Sequence, residues 1–331
     1  MKRITALTHP LIDVLHSCDA NFLRERGLTA GTYGLLSRSE QDDLIQACGT
    51  KLPPLGLGGS ASNSLICARQ LGIPCTLLGL AADDTYGHHL YRQMRLLDIQ
   101  TPLPLVRDAR TGTCLALITP DGERTMRTCH GVSTVFGPEH VLETAIAASE
   151  WLLLEGYFLT ASEQNATAVS HAITIAKSYG TKIAFSVGAE FVAHAKRDYI
   201  RHNLLPLIDL LFANAVEATS LTETTSPEHA LDSLSKLLPG AIITNGETGS
   251  LGLMHTQRWS TPACPLNAPL IDTTGAGDVF AGAFLAGLMK GISPQIATKG
   301  AARLASIVIT KHGAQLEHDA ETIWRAEVQA P

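Results

Sequence analysis

The stretch 272–288, "DTTGAGDVFAGAFLAGL", decides how the rest of the chain is read. Gly275 and Gly277 flank Ala276, Asp278 follows at once, and Val279, Phe280, Ala283, Phe284, Leu285 and Leu288 recur at spacings of three and four. That spacing gives a helix one buried face. Asp272, Thr273 and Thr274 are residue types whose side-chain oxygens cap helices, and the small residues after them let the backbone turn while leaving N–H groups open. A helix start of this kind attracts anions, phosphate included. A fixed carboxylate at position 278 would repel a phosphate. It makes sense either as a dipole-complementing acid in an ordinary capped helix, or as the proton acceptor for a reacting hydroxyl.

Working outward, apolar strand-like runs alternate with helical patterns from about residue 132 onward. "WLLLEG" (151–156) precedes a helix over 163–179, and "KIAFSV" (182–187) precedes one near 190–203. "DLLFAN" (209–214) precedes a short helix, and "GAIITN" (240–245) follows a helix near 228–238. Upstream, "CTLLGLA" (75–81) lies between a helix after "GGSASN" and another near 86–97. Continuous apolar strands joined by helical crossovers predict a doubly wound α/β fold with a mostly parallel sheet and helices on both faces. One segment breaks the rhythm. "TGTCLALITPDGERTMRT" (111–128) reads as a hairpin turned at Pro-Asp-Gly. With the mixed stretch 10–45, it predicts a small β-rich lid formed by about 10–45 and 101–130. The remainder is the large α/β part of a single domain over 1–331.

The chain's 331 residues are enough to bury a large core. A 45% hydrophobic and 17% charged composition is that of an ordinary globular protein. A net charge of −6 without a basic stripe argues against a nucleic-acid partner. Seven scattered cysteines, none in a C-x-x-C pair, fit reduced thiols and not a zinc site. The opening "MKRITALTHPLID" is too broken for a signal peptide, and no apolar run reaches membrane-spanning length. The expectation is a cytoplasmic protein with no membrane contact, acting on a small molecule.

Four further constellations bear chemistry. "LGLGGSASN" (55–63) fails the spacing of a dinucleotide fingerprint, which weighs against a dehydrogenase. Its Gly58-Gly59 pair lets a ligand approach backbone, and Asn63 offers a two-way amide; a plain helix entry capped by Ser60 reads equally well. In "NAVE" (214–217), Asn214 and Glu217 form a capping box, and the same pair can hold the waters of Mg²⁺ at the end of a strand. "ITNGETGSLGLM" (242–253) is either a hairpin turned at Asn245-Gly246 or a loop meeting a nucleotide through Thr244, Gly246 and Gly249. Asp13, within the apolar strand "HPLIDVL", needs a partner or a ligand such as a pair of sugar hydroxyls, unless it leans into water.

Taken in order, Asp13, G-G-x-x-x-N, N-x-x-E and D-T-x-G-A-G-D resemble the ribokinase (PfkB) family of carbohydrate and nucleoside kinases, over nearly the whole chain. The resemblance implies ATP and Mg²⁺ as cofactors, with K⁺ a further candidate beside the last motif, and a monomer or homodimer. It implies Asp278 as base and Gly275, Ala276 and Gly277 as anion hole, with Thr274 beside the nucleotide. Asp13, Gly58, Gly59 and Asn63 would hold the substrate, and Asn214 and Glu217 would order the metal through waters. The lid hairpin, with Cys114 and Arg124, and "EGYFLTAS" resemble the adenosine kinase-like branch, whose base pocket Phe191 would join. Arg124 would reach the phosphates from the lid. "HPLID" departs from that branch by placing His9 where asparagine is usual. The implied activity is phosphorylation of a nucleoside, adenosine first, with a sugar kinase (ribose, fructose or a keto-deoxy sugar acid) as alternative. A non-catalytic nucleotide sensor is the alternative from another class, disfavoured by the presence of Asp278.

Overall fold

The structure is a computed structural model that describes residues 2–49, 55–316 and 319–329; the rest of the expected 1–331 unit lies outside them. Fourteen strands run through the described residues. The first seven are β1 (Arg3–Leu7), β2 (Leu11–Ser17), β3 (Tyr33–Leu35), β4 (Leu55–Gly58), β5 (Cys75–Leu78), β6 (Ile99–Gln100) and β7 (Gly112–Ile118). They are followed by β8 (Arg124–Cys129), β9 (Ser149–Glu155), β10 (Lys182–Ser186), β11 (Leu210–Asn214), β12 (Gly240–Thr244), β13 (Ser250–Met254) and β14 (Gln257–Thr261).

Nine strands form the main sheet in the order β14-β13-β12-β11-β10-β9-β1-β5-β6. Seven of them, from β12 to β6, pair in parallel, while β13 and β14 close the edge as antiparallel strands. The apolar runs explain why. Leu152, Leu153 and Leu154, like Ile183, Ala184 and Phe185, are fully buried with side chains on both faces, so helices must cover both. The helix Glu163–Tyr179 covers one face, and Ser60–Gln70, Ala276–Met289 and Pro294–Val308 cover the other. The helix expected near 190–203 is broken into Glu190–Ala195, a short turn and a π-helical Ile200–Leu204.

The second sheet has five strands in the order β3-β8-β7-β2-β4. The hairpin β7–β8 turns as its Pro-Asp-Gly tripeptide requires, with Gly122 at φ +86°. Strand β4 lies within a segment the sequence reading treated as a helix entry; it pairs antiparallel with β2 and sets Gly56 opposite Asp13. The helices Ala20–Glu25 and Arg38–Ala47 belong to the same layer, and Leu23 and Leu44 bury themselves against it.

One close approach sets the site. Gly282, in the second turn of Ala276–Met289, lies so near the Ser64 carbonyl of helix Ser60–Gln70 that any Cβ there would collide with it. The two helices therefore touch almost backbone to backbone, and their first turns converge. Gly275, the N-cap at φ +78°, turns the chain into the second helix against Ala314, with no side-chain cap of its own.

Candidate active site

The convergence puts Asp278 against the opening of the other helix. Its Oδ1 accepts a hydrogen bond from Ser60 Oγ at 2.6 Å, and its Oδ2 accepts one from Asn63 Nδ2 at 2.9 Å. Both partners come from more than two hundred residues away in sequence. Burial raises the Asp278 carboxyl above the usual carboxylate range, while these two bonds pull it back down. One of the two sequence readings of 55–63 has Ser60 as the helix cap, and the reading of 272–288 has Asp272 to Thr274 as capping residues. The structure corrects both. Gly59 and Gly275 occupy the cap positions, and Ser60 orients Asp278. Asp272 instead accepts from the N–H groups of Thr274 at 3.0 Å and Gly313 at 2.9 Å, which braces the loop ahead of the helix.

Asp278 faces a cavity of about 400 Å³ between the two sheets. Strand ends of the main sheet contribute Glu155, Ser186, Asn214 and Thr244; the small sheet contributes Leu11, Asp13, Cys114, Met126 and Thr128. The helix start contributes Thr273, Thr274, Gly275, Gly277 and Asp278. Ligand crevices at the carboxyl ends of parallel strands are what this architecture offers. A Cβ built on Gly277 meets nothing, so the backbone of the first turn is open, and first-turn N–H groups lack intrahelical partners. The Ala276 N–H is already bonded to the Thr273 carbonyl at 3.3 Å. Among the described residues no lysine or arginine lines the cavity.

The Asp13 carboxylate has no hydrogen bond among the described residues, and a Cβ at Gly58 would strike it. Burial pushes Asp13 up to about 6, against the pull of Arg124 and with help from Asp278 and Asp272. Gly59 and Asn63 line the cavity beside it, and the Asn63 Oδ1 is buried without a partner. Asn214 and Glu217 form a complete capping box. Glu217 Oε2 accepts from the Asn214 N–H at 3.0 Å, Oε1 accepts from Asn214 Nδ2 at 2.9 Å, and Asn214 Oδ1 accepts from the Glu217 N–H at 2.8 Å. Both residues also line the cavity. Burial raises Glu217 to about 7.

Six expected residues stand back from the cavity wall: Gly58, Arg124, Phe191, Gly246, Gly249 and Ala276. Arg124 turns its guanidinium to Asp272, 3.0 Å away, in a buried ion pair that joins the small sheet to the loop before the helix. Phe191 stacks on Tyr33 with centroids 5.7 Å apart and planes 11° apart, so Tyr33 and Tyr157 form the wall with Phe191 behind them. Gly246 and Gly249 sit in the β12–β13 connection, beyond the lining residue Thr244. That connection carries a single 3-10 turn, Gly246–Thr248, within an antiparallel hairpin.

Sequence reasoning missed Glu155, Tyr33, Tyr157, His9 as a wall residue, and His130. Glu155 is fully buried, and its two oxygens accept from Thr8 Oγ1 at 3.1 Å, His9 N at 2.9 Å and Ala61 N at 2.6 Å. It knots β1, β9 and the helix Ser60–Gln70 together, and burial lifts it to about 7 despite those bonds. A glutamate ending the run "WLLLE" was the available signal.

A cavity between two sheets, with an oriented carboxylate at an open helix start and a second carboxylate in its wall, belongs here to a phosphotransferase acting on alcohol groups, as the family match establishes. The chain belongs to the pfkB family carbohydrate kinases, whose model matches residues 53–321. It is a nucleoside or sugar kinase of that family. It is 26% identical over 310 residues to an adenosine kinase of Saccharomyces cerevisiae, covering 87% of this chain and 89% of the relative. It is also 26% identical over 266 residues to a ribokinase of Staphylococcus aureus, covering 78% and 83%. The crystal structure of adenosine kinase from Sinorhizobium meliloti superposes with a TM-score of 0.89 at 28% identity, covering 98% of this chain and 99% of that one. No described helix is long and apolar enough to cross a membrane.

Proposed function

We propose that this protein is an ATP-dependent kinase that phosphorylates the 5′-hydroxyl of a ribonucleoside, adenosine first. The observation that carries the reading is Asp278, held by Ser60 and Asn63 at an open helix start, in a cavity whose wall also carries the Asp13 carboxylate and aromatic rings. The kinship to adenosine kinases supports the same substrate class.

Phosphoryl transfer has a loose transition state, so positioning and charge stabilisation supply most of the rate. The N–H groups around Gly277 offer preorganised dipoles where charge builds on the transferred group. Asp278 orients the attacking hydroxyl and takes its proton late; the Ser60 and Asn63 bonds fix which lone pairs remain for that task. Asp13 accepts from sugar hydroxyls, with Gly59 and Asn63 beside it. A substrate diol would also relieve the cost of leaving a carboxylate unpartnered in a buried place.

The donor set fits Mg²⁺ carried in with the nucleotide. Among the described residues no group of three metal-ligating side chains occurs and no lysine or arginine lines the cavity, a lining suited to a nucleotide that arrives with its metal ion. Mg²⁺ keeps several waters and would neutralise charge between the phosphates, and Asn214 and Glu217 would hold those waters without giving up their capping box. Thr244, Thr274, Gly246 and Gly249 would border the nucleotide. Arg124 would reach it only by leaving Asp272.

A sugar kinase is the second reading, favoured by Asp13, which suits any vicinal diol, and by the ribokinase kinship. Mixing the protein with Mg-ATP and a panel of nucleosides and sugars, and following ADP, decides between them. Adenosine should exceed ribose in kcat/KM by at least about 100-fold, since apolar and aromatic enclosure of a base is worth a few kcal/mol. Equal or better turnover of a free sugar makes the protein a sugar kinase.

A further inference from the structure

His9 and His130 stack face to face at the substrate end of the cavity, with ring centroids 4.3 Å apart and planes 13° apart. Behind His9 lies Phe158 at 4.8 Å, and Phe136 meets Phe158 edge-on at 5.2 Å. A column of rings thus runs outward from the core and ends at His130, which lines the cavity and spends one ring face on His9. The His9 side chain is unusual. It is 1% exposed, it lines the cavity, and neither ring nitrogen completes a well-aligned hydrogen bond, although the backbone of Tyr157 lies close enough to pull its pKa upward. Leaving buried polar atoms unmet costs free energy that a ligand with the right donor or acceptor recovers. Tyr33 and Tyr157 also line the cavity, with ring centroids 5.9 Å apart, and add aromatic surface to its wall.

We propose that the His9–His130 stack is the specificity-determining element of this kinase: His130 supplies a stacking face, and His9 a polar edge, for a neutral planar heterocycle attached to the sugar. This rests on the nucleoside reading above and names the residues that would enforce it. Burial holds His9 well below the usual imidazole range and His130 at about 4, the coupling of the two rings adding to the effect on His9. Both imidazoles are therefore neutral at physiological pH, each with one donor and one acceptor. A ring nitrogen or exocyclic amine meets such an edge well. An anionic substituent meets no lysine or arginine of the described residues in the cavity lining, and Asp13 and Asp278 repel it. The stack thus selects against sugar acids and gives a bare sugar nothing.

The test measures kcat and KM with Mg-ATP for adenosine, its 1-deaza, 3-deaza and 7-deaza analogues, and ribose. It uses wild type, His130→Ala, His9→Leu and His9→Gln. In wild type, at least one deaza analogue should lose about 10–100-fold in kcat/KM, the scale for leaving a polar site unpaired. His9→Leu should bring adenosine down to the level of that analogue and erase the difference, while His9→Gln restores part of it. His130→Ala should raise the adenosine KM more than it changes kcat, lowering the adenosine-to-ribose ratio of kcat/KM by about tenfold. If His9→Leu does not fold, His130→Ala, at a half-buried position, carries the test alone. Unchanged ratios in the variants, or equal loss with adenosine and ribose, would overturn the proposal and leave the nucleoside reading standing. Preference of wild type for ribose would remove both.

Discussion

Asp278 shares its hydrogen-bonding with two donors from another helix, and that arrangement makes its chemistry separable from its packing. In Asp278→Asn the new amide meets Asn63, whose Oδ1 is buried without a partner. A flip of the Asn63 amide would turn that oxygen toward the new N–H₂ group, so the fold should survive. Turnover should fall by about 10²–10⁴, the span of a positioned acid or base. Steady-state rates beside a thermal melt check this, and near-normal turnover would return Asp278 to a role in helix geometry. Glu155 predicts the opposite pattern. Its oxygens accept three hydrogen bonds, so Glu155→Gln must leave a donor facing a donor and should cost about 1–3 kcal/mol of stability by denaturant titration. The difference in legibility is physical. Asp278, Asn63 and Asp13 sit in short runs whose spacing has few uses. Glu155, Tyr33 and His130 gain their meaning only from partners distant in sequence, which no local pattern displays.

Elements show the same division. The parallel strands were readable because burial on both faces leaves continuous apolar runs, and the helix over 163–179 has the bounds its periodicity predicts. Strand β4 was not, because "LGLG" carries too few side chains to announce a strand and is held by pairing with β2. At the strand–helix junction of β11, Glu217→Gln keeps an acceptor for the Asn214 N–H but removes the charge and the bond from Asn214 Nδ2, a donor that the exposed Asn214 side chain can turn to solvent. The melting temperature should shift little, while the Mg²⁺ concentration for half-maximal rate should rise severalfold, about as expected for losing one charged holder of metal-bound water. A sharp fall in stability with flat magnesium dependence would leave Glu217 with capping alone. The Arg124–Asp272 pair joins hairpin to motif loop, so Arg124→Ala, which strands a buried carboxylate, should destabilise by about 3–5 kcal/mol. A chemical melt would show it.

At the level of the whole molecule, the buried carboxylates write a pH signature. Glu155 and Glu217 rise from 4.5 to about 7 on folding, and Asp13 from 3.8 to about 6. Between those limits the folded state binds more protons than the unfolded one, so stability falls as pH rises. The contribution is fully present below the unfolded values and is gone once pH passes the folded ones. His9 and His130, held below the usual imidazole range, act the opposite way below about pH 6.5, so the carboxylate signature is read above it. The ligand-free protein should melt at a lower temperature at about pH 8 than at about pH 6.5, and Glu155→Gln and Glu217→Gln should each flatten the slope. A melting temperature that climbs over the same window would show these groups to be ionised without penalty.

The two sheets are separate in their hydrogen bonding but not in their apolar core. Ile12, Val14, Leu115 and Leu117 of the small sheet belong to one continuous buried cluster with Leu65, Phe280, Phe284 and Trp324 of the large part. The small sheet therefore has no oil of its own to melt from. Calorimetry should record one endotherm for the whole chain, and the segments of the small sheet, cut out and joined, should remain unfolded. Any movement that opens the cavity must slide apolar surface over apolar surface, so that the protein behaves in motion as a sliding joint and in unfolding as a single piece.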